Sequence, residues 1–197
     1  MEEIPTLDYH RSDEFGPTLL AFGHFIVDWN WAEQMFNALL WQFSSDMNVG
    51  AAFSLGLGNQ TRAETLLTLA SRSKAPDDIV ELVKFAAKAF NRLRSNRNVL
   101  VHAHSITKEA DGQFMWTRAS KSPKHTHLYV LASEKDVIDN LYATGALATL
   151  CVGLGIYFNP NAEEKSFPSG DEMFEIPRLL ESKPLNFELP QENNDEN

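Results

Sequence analysis

The sequence contains a single cysteine, Cys151, among its 197 residues. It can therefore form neither an intrachain disulfide nor a zinc site built from several cysteines. It also contains no Gly-x-Ser-x-Gly element and no glycine-rich loop followed by Lys-Ser or Lys-Thr, which are motifs of many hydrolases and nucleotide-binding proteins. No basic N-terminal segment leads into an apolar run, and we therefore expect a cytoplasmic protein rather than a secreted one.

The composition is that of a packed domain, since 43% of the residues are hydrophobic and 11% are aromatic. We predict a flexible N-terminal arm over residues 1–13, one helical domain over residues 14–159, and an acidic, proline-containing tail over residues 160–197. The tail holds ten acidic and three basic residues, a net charge of −7. We expect such a tail to be poorly packed or to wrap a protein partner.

Two long segments carry apolar residues at spacings of three and four, the pattern of a helix with one buried face. The first stripe consists of Phe22, Ile26, Trp29, Phe36, Leu40 and Phe43, and the second of Ile79, Leu82, Val83, Ala86, Phe90 and Leu93. Glu33 lies on the first stripe, and Arg97 continues the second. Because an unpaired buried charge is costly, Glu33 is a candidate counter-ion for Arg97.

The pattern changes from helical to alternating after His102. Segments of alternating polar and apolar residues flank Asp111-Gly112, which is a strong hairpin signal. Residues 127–131 could add a third strand. Ser133 then resembles the cap of a last helix. The sequence thus predicts a mainly α fold, a helical bundle with a small β-hairpin or three-stranded insertion before the last helix.

Residues 141–158 form a run of 18 residues without a charged side chain. That length lies near the lower limit of a membrane-spanning helix, which needs about 17–25 apolar residues. The run also contains three glycines and several hydroxyl-bearing side chains, and it lacks a basic flank that would set an orientation. We favour a buried core helix and no membrane association, with a membrane segment as the alternative.

Basic residues concentrate between residues 84 and 124, where nine Lys/Arg stand against two Asp/Glu. Local rather than total charge sets the field that a phosphate backbone meets, so this segment is a candidate RNA-binding surface in an acidic chain of net charge −10. Its candidate RNA contacts on the predicted helix are Lys84, Lys88, Arg92 and Arg94. The alternative is an ordinary solvated helix face followed by a basic hairpin.

The strongest motif is residues 92–104, which read Arg-Leu-Arg-Ser-Asn-Arg-Asn-Val-Leu-Val-His-Ala-His. This run resembles the signature of HEPN domains, in which an arginine, often followed by asparagine, precedes a histidine. The order of the predicted helices fits that family more loosely across residues 16–158. The resemblance implies a HEPN-like helical bundle that acts as a metal-independent endoribonuclease, works as a homodimer and needs no cofactor, in a toxin–antitoxin or phage-defence setting.

By this resemblance, His102 acts as general acid or base on the ribose 2′-hydroxyl or the leaving oxygen, Arg97 stabilises charge at phosphorus, and Asn98 orients the phosphate or one of the other two residues. Histidine suits proton transfer at neutral pH because its unperturbed pKa is about 6.5. Arginine offers phosphate a planar fork of donors. We count Glu33 and His104 as supporting residues. Some family toxins carry, at the position of His104, a tyrosine that a partner nucleotidyltransferase modifies, so that kind of partner is not supported.

Other interpretations of these residues stay open. Arg97, Asn98 and His102 could tie and cap a helix end in a non-catalytic dimerisation or ligand-binding module. Four histidines form two alternate pairs that could bind a metal, but no carboxylate pattern accompanies them and we predict no metal site. The four are His102, His104, His125 and His127. The acidic tail could also compete with RNA for the basic segment.

Overall fold

The computed structural model describes residues 12–44, 46–119, 127–159, 161 and 184–185. The described residues form five helices, namely α1 (Ser12–Trp41), α2 (Met47–Leu55), α3 (Asn59–Arg72), α4 (Asp77–Val101) and α5 (Glu134–Phe158). They also form three strands, β1 (Ser105–Lys108), β2 (Phe114–Ala119) and β3 (His127–Ala132). The predicted mainly α fold with a small sheet between the motif and the last helix is confirmed.

Local sequence explains where the helices that frame the motif begin. The first turn of α4 carries Asp77 and Asp78, where carboxylates are favoured by the helix dipole. Helix α5 begins with a capping box, in which the Ser133 amide donates to Asp136 Oδ2 at 2.8 Å and the Asp136 amide donates to Ser133 Oγ at 3.1 Å. The predicted cap of the last helix is therefore confirmed.

The three strands form an antiparallel meander in the order β1–β2–β3. Trp116 is the central residue of the sheet, since it lies opposite Ile106 of β1 and Val130 of β3. Gly112 in the first turn has a φ of +82°, a conformation that side chains rarely adopt. The hairpin at Asp111-Gly112 and the third strand are thus confirmed.

The main core lies between the helices and is centred on Phe90 of α4. The Phe90 ring stacks on Phe36 and Trp29 of α1, with centroid distances of 4.0 and 5.2 Å. Helices α1 and α5 run in the same direction. Phe43, just after α1, meets Phe158 at the end of α5 with a centroid distance of 4.6 Å, while the beginnings of both helices reach the sheet.

Within the described part of the chain, α5 is the one helix long and apolar enough to cross a membrane by length and composition. Of its apolar 18-residue window, 56% is buried inside the protein. The core helix of a soluble protein meets the same criteria, so the length of this run does not by itself distinguish the two environments.

A second core joins the sheet to one end of the bundle. Its buried residues are Phe15, Phe25, Val99, Leu100, Phe114, Trp116, Val130, Ala132, Val137 and Leu185. The end of α4, which carries the Arg-Asn-x-x-x-His motif, is therefore held between the bundle and the sheet. Leu185 belongs to the stretch predicted as a tail, and it is 2% exposed in this core.

Replacing Phe90 by alanine should lower the free energy of unfolding by about 3–5 kcal/mol, because it removes a fully buried ring stacked on two others. Phe85→Ala is the matched control, since Phe85 lies on the same helix but is 42% exposed. Its effect should stay within about 0.5–1 kcal/mol. Urea denaturation measures both, and equal losses would contradict this description of the core.

Candidate functional site

The motif occupies the last turn and the cap of α4. The helix ends at Val101, and His102 follows as the cap residue with φ −90° and ψ 1°. The backbone amide of His102 donates to the carbonyl of Asn98 at 3.2 Å, and this is the last hydrogen bond of helical spacing in α4. The His102 side chain is exposed, whereas Arg97 and Asn98 are half-buried.

Arg97 is held against Asn98. Its Nη1 donates to Asn98 Oδ1 at 3.2 Å, while its Nε is buried and has no hydrogen-bond partner. One turn earlier, the Nε of Arg94 is buried and unpartnered too. Neither guanidinium makes an ion pair with a described residue. A charged donor of this kind is costly to leave unpaired, so the pair of arginines is suited to receive an anion.

Asn98 lies between the two chemical groups of the motif along the chain. Asn98 and His102 are four residues apart, a spacing that places side chains on the same side of a helix end. The amide oxygen of Asn98 binds Arg97, which is five residues before His102. A cation that never loses its charge and a histidine accessible to solvent therefore lie at the same end of α4.

The candidate pairing of Glu33 with Arg97 is wrong, because Glu33 pairs with a different arginine. Glu33 Oε1 instead accepts from Arg62 Nη1 of α3 at 3.1 Å, and Arg62 also donates to Asn59 Oδ1 at 2.9 Å. The apolar stripe of α1 indicates that Glu33 lies near the core, but it does not indicate which neighbouring helix carries the partner of Glu33. Arg62 lies inside α3, which begins at Asn59, and this leaves Arg97 without the candidate carboxylate.

A chain of buried amides fixes the position of the motif. Asn96 is completely buried, and its Nδ2 donates to Asn140 Oδ1 of α5 at 2.7 Å. Asn140 Nδ2 donates in turn to the carbonyl of Asp136 at 2.7 Å. The backbone amide of Leu185 donates to Asn96 Oδ1 at 2.8 Å. The residue next to Arg97 is thus tied both to α5 and to a distant part of the chain.

These three residues were not found from the sequence. Asn96 continues the buried row of α4 that includes Ala89 and Leu93. A polar residue in this apolar row is the sequence signal that could have indicated a buried hydrogen bond. Asn140 likewise lies among the buried residues of α5. Nothing in the sequence around Leu185 distinguishes it from other leucines of the acidic tail.

Of the predicted RNA contacts, Lys84, Lys88 and Arg92 follow one side of α4 toward the motif. Lys84 and Lys88 are exposed, and Lys84 Nζ pairs with Glu81 at 2.6 Å. Such a surface pair contributes little and is readily exchanged for a phosphate. Arg92 and Arg94 are half-buried, closer to Arg97. The remaining basic residues of the segment include Lys121 and Lys124, which lie outside the described residues.

Two histidines beside the motif come together at one end of the sheet. The rings of His104, just before β1, and His127, the first residue of β3, have a centroid distance of 5.7 Å. His125 lies outside the described residues. Over the described residues, no group of three or more His, Cys, Asp or Glu side chains could hold a metal ion.

No family model, curated protein or solved structure gives a significant match to this chain. Its candidate site is therefore defined by the residues themselves, namely Arg94, Arg97, Asn98 and His102 at the end of α4, supported by the buried Asn96.

Asn96→Ala should destabilise the protein by about 1–3 kcal/mol for each buried group that it leaves unpaired, namely the Asn140 oxygen and the Leu185 amide. Hydrogen exchange of the Leu185 amide should become faster in the same variant. Asn91→Ala is the control on this helix, because Asn91 Oδ1 is buried without a partner and its removal breaks no bond. An unchanged Leu185 exchange rate in Asn96→Ala would contradict the amide chain.

Proposed function

We propose that this chain is a metal-independent endoribonuclease of HEPN type that acts as a homodimer. The observation that carries the proposal is the end of α4, where Arg97 is bound to Asn98, keeps a buried Nε without a partner, and lies close along the chain to an exposed histidine, His102. A guanidinium for a phosphate and an imidazole for a proton are the groups that RNA cleavage needs.

The chemistry uses the nucleophile that RNA already carries. The imidazole of one His102 takes the proton of a ribose 2′-hydroxyl, whose oxygen then attacks the adjacent phosphorus. The bond from phosphorus to the 5′-oxygen breaks as the new bond forms, and the leaving oxygen receives a proton from a second imidazole in its protonated form. The products are a 2′,3′-cyclic phosphate and a 5′-hydroxyl, and no redox change or metal is needed.

Arg97 binds and neutralises the phosphate during this displacement. Its planar donors match two phosphate oxygens, and a half-buried position strengthens the interaction because less water screens it. Arg94, with the same buried and unpartnered Nε, adds a second positive charge one turn away. Asn98 Oδ1 accepts a hydrogen bond from Arg97 Nη1 and so favours one rotamer of the arginine.

A dimer supplies the second proton-transfer group. Each chain has one motif histidine, whereas the displacement requires one group to take a proton and another to give one. Two copies of His102 facing the same RNA satisfy that requirement. Lys84, Lys88 and Arg92 on α4 then bind the flanking phosphates. The resemblance alone supports the toxin or phage-defence role that we include in the proposal, and the cytoplasmic location remains a prediction from the sequence.

In EDTA, the wild-type protein should cleave single-stranded RNA and leave 2′,3′-cyclic phosphate ends. His102→Ala should lower the rate by about 10²–10⁴-fold, as expected for loss of a proton-transfer group. Arg97→Ala should lower it by about 10²–10³-fold, as expected for loss of a transition-state donor. Denaturing gel electrophoresis and end-group analysis measure both effects.

Arg72→Ala serves as the control for loss of one arginine, because Arg72 is exposed in the last turn of α3. It should cleave at the wild-type rate. Full activity of His102→Ala would contradict the proposal. Absence of cleavage for several RNA classes, with Arg97→Ala and His102→Ala merely less stable, would instead favour a non-catalytic dimerisation or ligand-binding module.

A further inference from the structure

The small sheet has one face that points away from both cores. Successive residues of a strand point to opposite faces, and Phe114, Trp116 and Val130 belong to the face that packs on the bundle. None of the apolar residues of the other face belongs to either core, and all residues of that face are half-buried or exposed. We call it the outer face, and it consists of Ser105, Thr107, Met115, Thr117, Ala119, His127, Tyr129 and Leu131.

Three flat side chains form a row at this face. His127 and Tyr129 are two residues apart on β3, so they point to the same side of the sheet. The His127 ring meets the ring of His104, just before β1, with a centroid distance of 5.7 Å and an interplanar angle of 45°. Ala119 of β2 lies opposite His127, and its small side chain leaves the two rings room to meet. We call His104, His127 and Tyr129 the ring row.

The ring row begins beside the motif. His104 follows His102 by two residues, so their Cα atoms are at most about 7 Å apart. The backbone amide of His104 donates to the carbonyl of Thr117 at 2.8 Å, which attaches this part of the chain to β2. Both histidines are exposed. Along the chain, His102 thus lies between the basic residues of α4 and the ring row.

Charge is distributed unequally between the two ends of the sheet. The first turn of the sheet and the beginning of α5 lie at one end, because Lys108 and Ala132 are both opposite Phe114. The charged residues at that end are mostly acidic, namely Glu109, Asp111, Glu134 and Asp136 beside Lys108. Among the described strand residues, the end next to His102 has no carboxylate, and it holds Arg118 together with two rings of the row. A polyanion is therefore favoured at the end of the sheet that adjoins the motif.

We propose that the ring row binds the bases of single-stranded RNA on one side of the phosphate that is cleaved. This inference rests on the proposed function, which places that phosphate at Arg97 and His102. Flat side chains on an open sheet face suit unpaired bases, because every base has a π-face and stacking tolerates any sequence. Bases of duplex RNA stay stacked on one another and cannot use such a platform. The substrate is thus an unpaired segment, with phosphates along α4 on one side of the cut and bases on the sheet on the other.

The composition of the outer face favours RNA over a protein partner. Its large aliphatic residues are Met115 and Leu131 alone, fewer than the apolar centre of a protein interface needs. Tyr129 lies opposite Thr117, so a hydroxyl that can bind a base edge or a ribose lies beside the ring. A chain of net charge −10 repels RNA over most of its surface, whereas this face has no carboxylate and continues directly from the motif.

Binding of a strand that the protein cannot cleave tests the ring row separately from catalysis. The probe is a fluorescein-labelled single strand of about eight 2′-deoxyadenosines, a length within the usual range of single-strand sites. Tyr129→Val removes the ring but keeps a residue that favours strands. It should raise the Kd measured by fluorescence anisotropy about 5- to 150-fold, which corresponds to roughly 1–3 kcal/mol for one stacked base. Tyr129→Phe keeps the ring and should bind like the wild type.

A strand of the same length with abasic sugars separates stacking from charge. It keeps the phosphates but has no bases, so the wild type and Tyr129→Val should bind it equally. Tyr142→Val is the matched control, because Tyr142 is 64% exposed and lies on α5, outside the sheet. It should bind the adenosine strand like the wild type. Circular dichroism and the melting temperature establish that each variant is folded.

Equal affinity of folded Tyr129→Val and the wild type for the adenosine strand would overturn the ring row. Absence of single-strand binding by the wild type, or an equal loss of affinity for the abasic strand, would overturn it too. Cleavage of RNA in EDTA with no loss of affinity in Tyr129→Val would refute the ring row and retain the ribonuclease. The expected loss of affinity in a protein that cleaves no RNA would retain the ring row and refute the ribonuclease, so the two failures are distinguishable.

Discussion

The hydrogen bond between Asn96 Nδ2 and Asn140 Oδ1, 2.7 Å long and completely buried, is the constraint on which the candidate site depends. It joins α4 to α5 where the bundle meets the sheet. Because buried amides tolerate few other arrangements, this bond and the contact of Asn96 with the Leu185 amide fix the rotation of the last turns of α4. The next residue along the chain is Arg97, whose direction follows from that rotation.

The fold was predictable because several local signals agree with one another. Apolar stripes at helical spacing located α1 and α4, and the buried Trp29, Phe36 and Phe90 are members of those stripes. Asp111-Gly112 located the hairpin because glycine takes the positive φ that the turn needs. Ser133 located the beginning of α5 through its capping box. Each signal depends on residues close in sequence, which is why sequence alone was sufficient.

The features that the sequence did not reveal all depend on distant residues. Glu33 was a candidate partner of Arg97, and only the placement of α3 shows that Glu33 pairs with Arg62 instead. Leu185 is 89 residues from Asn96, and no local pattern connects the two. The uncharged run of residues 141–158 predicted a core helix, but the sequence did not indicate whether one side of that helix is exposed. The exposure of Tyr142 and Ile156 on α5 becomes visible only when the neighbours of that helix are known.

The proposed role of Arg97 is to bind a phosphate with its guanidinium, and the Nε–H group of that guanidinium reports on such binding directly. The most direct measurement is the ¹⁵Nε–¹Hε NMR signal of Arg97, assigned with Arg97→Lys, during titration with an RNA oligomer that carries 2′-deoxy sugars and cannot be cleaved. We expect this signal to shift and to exchange more slowly with water as the RNA binds, and we expect the signal of Arg72 to stay unchanged. RNA binding that leaves the Arg97 signal unchanged would contradict the phosphate-binding role of Arg97.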